Sequence, residues 1–242
     1  MKLYVVGIGS GNENGLTYEA RRTLEEADII VGYTVYADLV KAFLPDKEYF
    51  TSGMKQERER CKKAVELAAA GANVAVVCSG DSGVYGMASL LHELAADYAD
   101  LEVCAVAGVT AALSGSALVG APLGHDFAVI SLSDLLTPWE KIEKRLEAAA
   151  EADFAICLYN PSSKKRADYL RKACGIILKY RDTKTVCAAA KNIGRDGEEY
   201  EIMTLDELKE YKADMFTTVF IGNSQTKKIK GKMVTPRGYK TE

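Results

Sequence analysis

Three short apolar runs in this chain each end in a glycine-bearing turn, and that recurrence limits the possible folds more than any other feature. The most informative is VAVVCSGDSGVYGMAS at 74–89. Val74 to Cys78 is apolar and β-branched, which reads as a buried strand. Ser79-Gly80-Asp81-Ser82-Gly83 follows with no bulky side chain. Val84 to Leu94 then predicts a helix with Met87, Leu90, Leu91 and Leu94 on one side. The other two runs are Leu3 to Ile8, entering Gly7 to Gly11, and Leu101 to Ala107, entering Gly108-Val109-Thr110. A strand, turn, helix, strand order predicts a parallel sheet. Turns at the carboxyl ends of such strands are where open α/β folds bind ligands. Glycines let a ligand approach the main chain, and exposed amides can donate to it. A tight turn that binds nothing is the plain alternative.

The remaining segments follow the same logic. Thr17 is placed to cap a helix carrying Leu16, Ala20, Leu24 and Ala27, and Asp28 to Val31 predicts the next strand. The first turn reads Gly7-x-Gly9-x-x-Asn12, without the third glycine of a dinucleotide fingerprint, and the helix begins late for one. Both points weigh against a nicotinamide oxidoreductase. Lys55 to Ala70 predicts an amphipathic helix, with Gly71 near its end.

GSALVGAPLG at 115–124 reads as a crossing segment between an N-terminal domain at 1–114 and a C-terminal domain at 125–242. In the second domain, strands are expected at Phe127 to Ser131, Phe154 to Tyr159, Thr185 to Ala190, Tyr200 to Met203 and Phe216 to Ile221. Pro138-Trp139 opens one helix, Ser163 to Tyr180 forms another, and Thr204 caps a short third. NIGRDGEE at 192–199 suits a turn between antiparallel strands, so this sheet is expected to be mixed. The basic tail, Lys227 to Lys240, is expected to be poorly ordered or a strand of a dimer.

Composition removes several function classes. A hydrophobic content of 48% supports a real core, and a net charge of −3 argues against a basic nucleic-acid binder. The six cysteines form no CxxC pair and there are two histidines, so no metal site is expected. Cys78, Cys104, Cys157 and Cys187 sit in or beside strand-like runs, as small buried hydrophobes of a reducing cytosol do. MKLYVVGIGSGN passes directly into a strand and glycines, unlike a signal peptide. No apolar run approaches the roughly 20 residues that span a bilayer, so no membrane partner and a cytoplasmic location are expected.

Taken together, the motifs are more specific than any one of them. VVGIGSGN, CSGDSGVYGMA, VAGVTAALSGSALVGAPL, SLSDLLTPW and LYNPSSKKR occur in that order along essentially the whole chain. The set resembles the tetrapyrrole (corrin/porphyrin) methylase family, S-adenosylmethionine-dependent enzymes of cobalamin and sirohaem synthesis. SLSDLLTPW and LYNPSSKKR look most like the branch that methylates C-17 of the macrocycle and contracts the ring.

The resemblance implies two α/β domains with S-adenosylmethionine in the cleft between them, held largely by main-chain groups, and a homodimer. It places Gly9, Ser10, Ser79, Gly80, Asp81, Val84, Tyr85, Gly86, Thr110, Ala111, Tyr159, Asn160 and Ala188 at the cofactor. Ser10 and Ser82 depart from the family pattern, which usually has proline at both positions. Methyl transfer needs alignment and water exclusion more than a strong base, whereas ring contraction needs acid–base groups. The candidates are Asp81, Ser131, Asp134 and Lys191, with His125 also weighed. The substrate is a polycarboxylate disc, and Lys164, Lys165 and Arg166 are placed to meet its arms; a solvated basic turn is the alternative for them. Another methylase of the superfamily, and a non-enzymatic nucleotide-binding α/β module, remain as other readings.

Overall fold

The computed structural model describes residues 1–163 and 165–240. The chain divides into two compact units, Met1–Ala111 and Ala112–Glu242. In the first, strands β1 (Lys2–Gly7), β2 (Ile29–Tyr33), β3 (Glu48–Ser52), β4 (Val74–Cys78) and β5 (Glu102–Val106) form one sheet in the order β3-β2-β4-β1-β5. Every pairing is parallel. The connecting helices are α1 (Tyr18–Glu26), α2 (Thr34–Lys41), α3 (Glu57–Ala69) and α4 (Ala88–Ala95).

The apolar runs follow from burial on both faces. All five residues of β4 are buried. Ala20, Leu24 and Val40 of α1 and α2 pack with Val6, Ile30, Ala75 and Val77 on one face. Cys61, Val65, Leu91 and Ala95 of α3 and α4 pack with Leu3, Val5, Val74 and Val76 on the other. Thr17 caps α1 as its position predicts, accepting the Ala20 amide at 3.1 Å.

The second unit opens with α5 (Ala111–Val119), whose first residue lies before the division, and the short β6 (Gly120–Ala121). Next come β7 (Phe127–Ser131), α6 (Trp139–Glu151), β8 (Ala155–Tyr159), α7 (Tyr169–Ile177), β9 (Val186–Lys191), β10 (Glu199–Thr204), α8 (Leu205–Glu210) and β11 (Thr217–Ile221). The hairpin β12 (Lys227–Ile229) and β13 (Lys232–Val234) follows. The main sheet has the order β10-β9-β11-β8-β7 and is mixed; only β7 and β8 pair in parallel. Thr204 caps α8 in a full capping box with Glu207.

Several expectations are corrected. The helix expected from Val84 begins at Ala88, because Tyr85 takes a left-handed φ of 54° and the chain must turn before it can wind. The helix expected from Ser163 begins at Tyr169, since the Arg166 amide bonds back to the Ser163 carbonyl before the helix can wind. β3 was not foreseen; its alternating EYFTS carries little apolar signal. The stretch 115–124, read as a crossing segment, holds the rest of α5 and β6.

Nor is the basic tail a loose end. β13 pairs with β6, Met233 is fully buried, and Lys232 Nζ donates to the Leu118 carbonyl at 2.8 Å. The tail thus seals the face of the sheet on which α5 lies, against Phe220, Ala188 and Cys157.

Helix α5 can lie that close because of Gly115. A Cβ there would stand 2.9 Å from Phe220 Cζ and 2.8 Å from Ile193 Cδ1. Gly115→Val is therefore expected to lower stability by about 1–3 kcal/mol, read as a fall in the urea midpoint at unchanged slope. An unchanged midpoint would show that the helix slides freely on the sheet.

Candidate functional site

In the first unit the three glycine turns meet at the carboxyl ends of adjacent strands. β1 is flanked by β4 and β5, so their turns are neighbours by register. The Ile8 amide donates to the Cys78 carbonyl at 2.9 Å. Gly9 and Gly80 then exchange two main-chain bonds, at 3.0 and 2.7 Å. The approach leaves no room for side chains. A Cβ on Gly7 would lie 2.7 Å from the Gly80 carbonyl oxygen, and one on Gly108 would lie 2.2 Å from the same atom.

Asp81 staples the second turn to the third. Its Oδ1 accepts the Gly83 amide at 2.8 Å and its Oδ2 the Gly108 amide at 3.0 Å. Ser82 is buried, and its Oγ donates to the Val106 carbonyl at 3.3 Å. That bond is a tether in place of the φ restriction a proline would impose. The Ser82 carbonyl accepts the Ala88 amide at 3.1 Å, closing a loop over Gly86 and starting α4. Tyr85 lies in this loop, left-handed and 56% exposed. A non-glycine residue held there costs about 1–3 kcal/mol and persists only where its surroundings over-determine it. Beneath the loop, burial pushes the Cys78 thiol up to about 11, so it is a packing group at neutral pH.

The structure therefore brings together Gly9, Ser10, Ser79, Gly80, Asp81, Val84, Tyr85 and Gly86, with Thr110 and Ala111 following the third turn. The first turn differs from a dinucleotide fingerprint in structure as well. Residues 13–15 form a 3-10 turn, and α1 starts only at Tyr18, so the helix that follows in sequence does not begin at the glycines.

In the second unit a polar network gathers at the carboxyl ends of β7 and β8. Ser131 Oγ accepts the Asn160 side-chain amide at 3.0 Å and the Ser133 main-chain amide at 3.2 Å. Asn160 is left-handed, with φ 52°. Arg166 joins two loops: Nη1 donates to Ser133 Oγ at 2.6 Å and Nε to Ser163 Oγ at 3.1 Å. Nη1 also stands 3.6 Å from Asp134, which accepts the Tyr169 hydroxyl at 2.6 Å. Tyr159 Oη accepts the Ala112 amide at 2.6 Å, satisfying one of the unpaired donors at the start of α5.

The acid–base candidates separate. Both oxygens of Asp81 hold main-chain amides, which makes it a structural post. Lys191 pairs with Asp214 at 3.3 Å and Glu199 at 3.6 Å, and these partners hold its pKa above the ordinary lysine value. Ser131 and Asp134 share one loop. His125 precedes β7 and so lies by the amino end of that strand, away from the Ser131 end. Ala188 is fully buried in the sheet core, against Phe220, and offers no surface. Lys165 is exposed and Arg166 is tied into the network. Lys164 lies outside the described residues. Ser133 and Tyr169 were not foreseen. The Ser-x-Ser spacing gave a signal for the first; the second is brought in only by the fold.

The family model for Tetrapyrrole (Corrin/Porphyrin) Methylases matches residues 2–209. The chain belongs to this family. This methylase is 48% identical to the probable cobalt-factor III C(17)-methyltransferase of Salmonella typhimurium, over 98% of its own length and 99% of that protein. It is 38% identical to a precorrin-3B C(17)-methyltransferase of Sinorhizobium, over 98% and 96%. The crystal structure of the methyltransferase CobJ matches it with a TM-score of 0.88 at 36% identity, over 96% of this methylase and 98% of that chain.

The network has a pH signature. The hydrogen bond to Asp134 and burial oppose ionisation of Tyr169, so its pKa lies above the ordinary tyrosine value. The stability this bond contributes is complete below the unfolded value of about 10 and is lost as pH rises through the raised folded value. Tyr169→Phe removes that contribution. The gap between wild-type and variant urea midpoints is expected to narrow from pH 8 to pH 11; a constant gap would mean the hydroxyl contributes nothing through Asp134.

Proposed function

We propose that this methylase is an S-adenosylmethionine-dependent C-methyltransferase of corrin biosynthesis. It methylates C-17 of a precorrin-3-stage macrocycle and contracts the ring to the precorrin-4 stage. The observation that carries the reading is the end-to-end likeness to C(17)-methyltransferases, at 48% identity over 98% of the chain. The higher identity to the relative named for cobalt-factor III than to the one named for precorrin-3B, 48% against 38%, favours a cobalt-bearing substrate. The six free cysteines, five of them buried, suit a reducing cytoplasm. The functional unit in this reading is a homodimer.

The glycine turns of the first unit suit the cofactor by their chemistry. They present main-chain amides and carbonyls, the Gly9, Gly11 and Gly80 backbones are left-handed, and side chains are excluded at the closest approach. Such groups can satisfy an ammonium and a carboxylate without a strong charge of their own. When bound, S-adenosylmethionine supplies a methyl group activated by its sulfonium. The chain's own part is alignment, and positioning of this kind contributes about 7–11 kcal/mol to a displacement. Asp81 and Ser82 fix the turns that do the positioning. Ser131 and Asp134, partly exposed at the carboxyl end of β7, handle protons in the ring contraction.

The test is calorimetric titration with S-adenosylhomocysteine, with NADH in parallel, followed by turnover on cobalt-factor III and on metal-free precorrin-3B. S-adenosylhomocysteine is expected to bind, NADH to be silent, and the cobalt-bearing macrocycle to be preferred. Gly80→Val should abolish cofactor binding. Ser131→Ala should lower the rate of ring contraction by about 100- to 10,000-fold with S-adenosylhomocysteine affinity unchanged. Binding of NADH alone would overturn the methyltransferase reading, and binding without turnover would favour a regulatory module.

A further inference from the structure

Leu135 and Leu136 project from the loop between β7 and α6, 65% and 98% exposed. A single exposed leucine is ordinary surface. A consecutive pair on a loop that cannot fold back is not, and this loop is pinned on both sides of the pair. The Leu132 amide donates to the Tyr159 carbonyl at 2.9 Å, and the Leu132 side chain is fully buried. Ser133 Oγ accepts Arg166 at 2.6 Å, and Asp134 accepts Tyr169 at 2.6 Å. After the pair, Pro138 leads into α6, whose Ile142 and Leu146 are buried.

The foot of the same loop is cationic. Arg166 uses Nε and Nη1 within the protein, its side chain is 17% exposed, and among the described residues Nη2 has no hydrogen-bond partner. Lys165, exposed, precedes it. An apolar tip and a guanidinium with an unused edge are thus both tied to the carboxyl ends of the parallel pair β7 and β8, where α/β folds take their ligands.

We propose that Leu135 and Leu136 are the platform on which the flat face of the tetrapyrrole rests, while the free edge of Arg166 receives one of its carboxylate arms. This deepens the function proposed above and rests on it. A macrocycle edged with carboxylates needs an apolar contact and a cation at a fixed offset, and this loop supplies both. A second copy of the chain suits the patch less well. Two leucine side chains offer far less than the ~800 Å² per partner that a stable interface takes, and a partner surface would also have to cover the cations.

The experiment is steady-state kinetics of the full chain on cobalt-factor III, with calorimetry for S-adenosylhomocysteine and sedimentation for oligomeric state. The double variant Leu135→Ser/Leu136→Ser should keep the melting temperature, because these side chains add nothing to the core. Its KM for the macrocycle is expected to rise roughly 10- to 100-fold, with S-adenosylhomocysteine affinity unchanged. Leu135→Met/Leu136→Met should restore most of the loss. An unchanged KM in the serine variant overturns the platform, as does a KM rise that appears only where the oligomer dissociates. A wild-type enzyme that turns over neither macrocycle overturns the function itself and this inference with it.

Discussion

The first unit depends on one steric fact: three main chains pass within contact distance at Gly7, Gly80 and Gly108. The Gly80 carbonyl stands where a Cβ on either of the other two would fall. Parallel strands are about 4.7–4.9 Å apart along the sheet, and turns leaving adjacent strand ends ordinarily diverge because their side chains collide. Removing the side chains lets them converge. The Gly9–Gly80 bridge and the Asp81 carboxylate then hold the convergence in place. Burial alone could not do this, because apolar packing is non-directional and would leave the turns free to shift over the core. Directed bonds to amides fix them.

The second unit reaches the same end by the opposite means. Its strand ends carry Ser131, Tyr159 and Asn160, and its order comes from side chains bonding to one another and to amides. Arg166 is the hub, reaching loops that follow two different strands. A hub of this kind is sensitive to substitution, since a guanidinium's planar fork is not replaced by a lysine. Its ion pair with Asp134 contributes little alone at a partly exposed site. The hydrogen bonds to Ser133 and Ser163 give it geometric force.

Much of this was legible in the sequence, and the limits have physical causes. The apolar runs of β1, β4 and β8 declare themselves because burial on both faces demands unbroken hydrophobicity. Thr17 and Thr204 declare helix starts because an N-cap needs a short oxygen-bearing side chain. β3 does not declare itself: at the sheet's edge no residue of EYFTS is fully buried, Tyr49 and Phe50 each being only partly covered, on opposite faces. The late starts of α4 and α7 were hidden because periodicity reports which residues suit a helix, not where left-handed Tyr85 or the bond from the Arg166 amide to the Ser163 carbonyl interrupts it. The glycine turns could be marked as a candidate site from spacing. The place of Asp81 in them could not, because a carboxylate in a loop reads equally as base or staple until the Gly108 amide, 27 positions away in sequence, is seen to meet it. Ala188 is ambiguous in sequence for a related reason. A small residue suits a ligand wall and a tight core equally, and only register puts it opposite Phe220.

Main-chain and side-chain sites should diverge differently in evolution. A turn that works through amides and carbonyls constrains a sequence only where a Cβ would collide or a φ must be left-handed. Ser10 and Ser82 can therefore stand where the family usually has proline, provided a bond such as Ser82 Oγ to the Val106 carbonyl replaces the lost rigidity. A site built of side chains constrains identity at each member. The two units then suit different tasks. In the function proposed above, one recognises the cofactor, by dipoles that ignore side-chain variation. In the same reading the other, with Ser131, Asp134, Arg166 and Tyr169 interlocked, is where a change of substrate would be written. Altering any one of these residues unseats its neighbours, so specificity in this unit should change by replacement of the whole loop rather than by single substitutions.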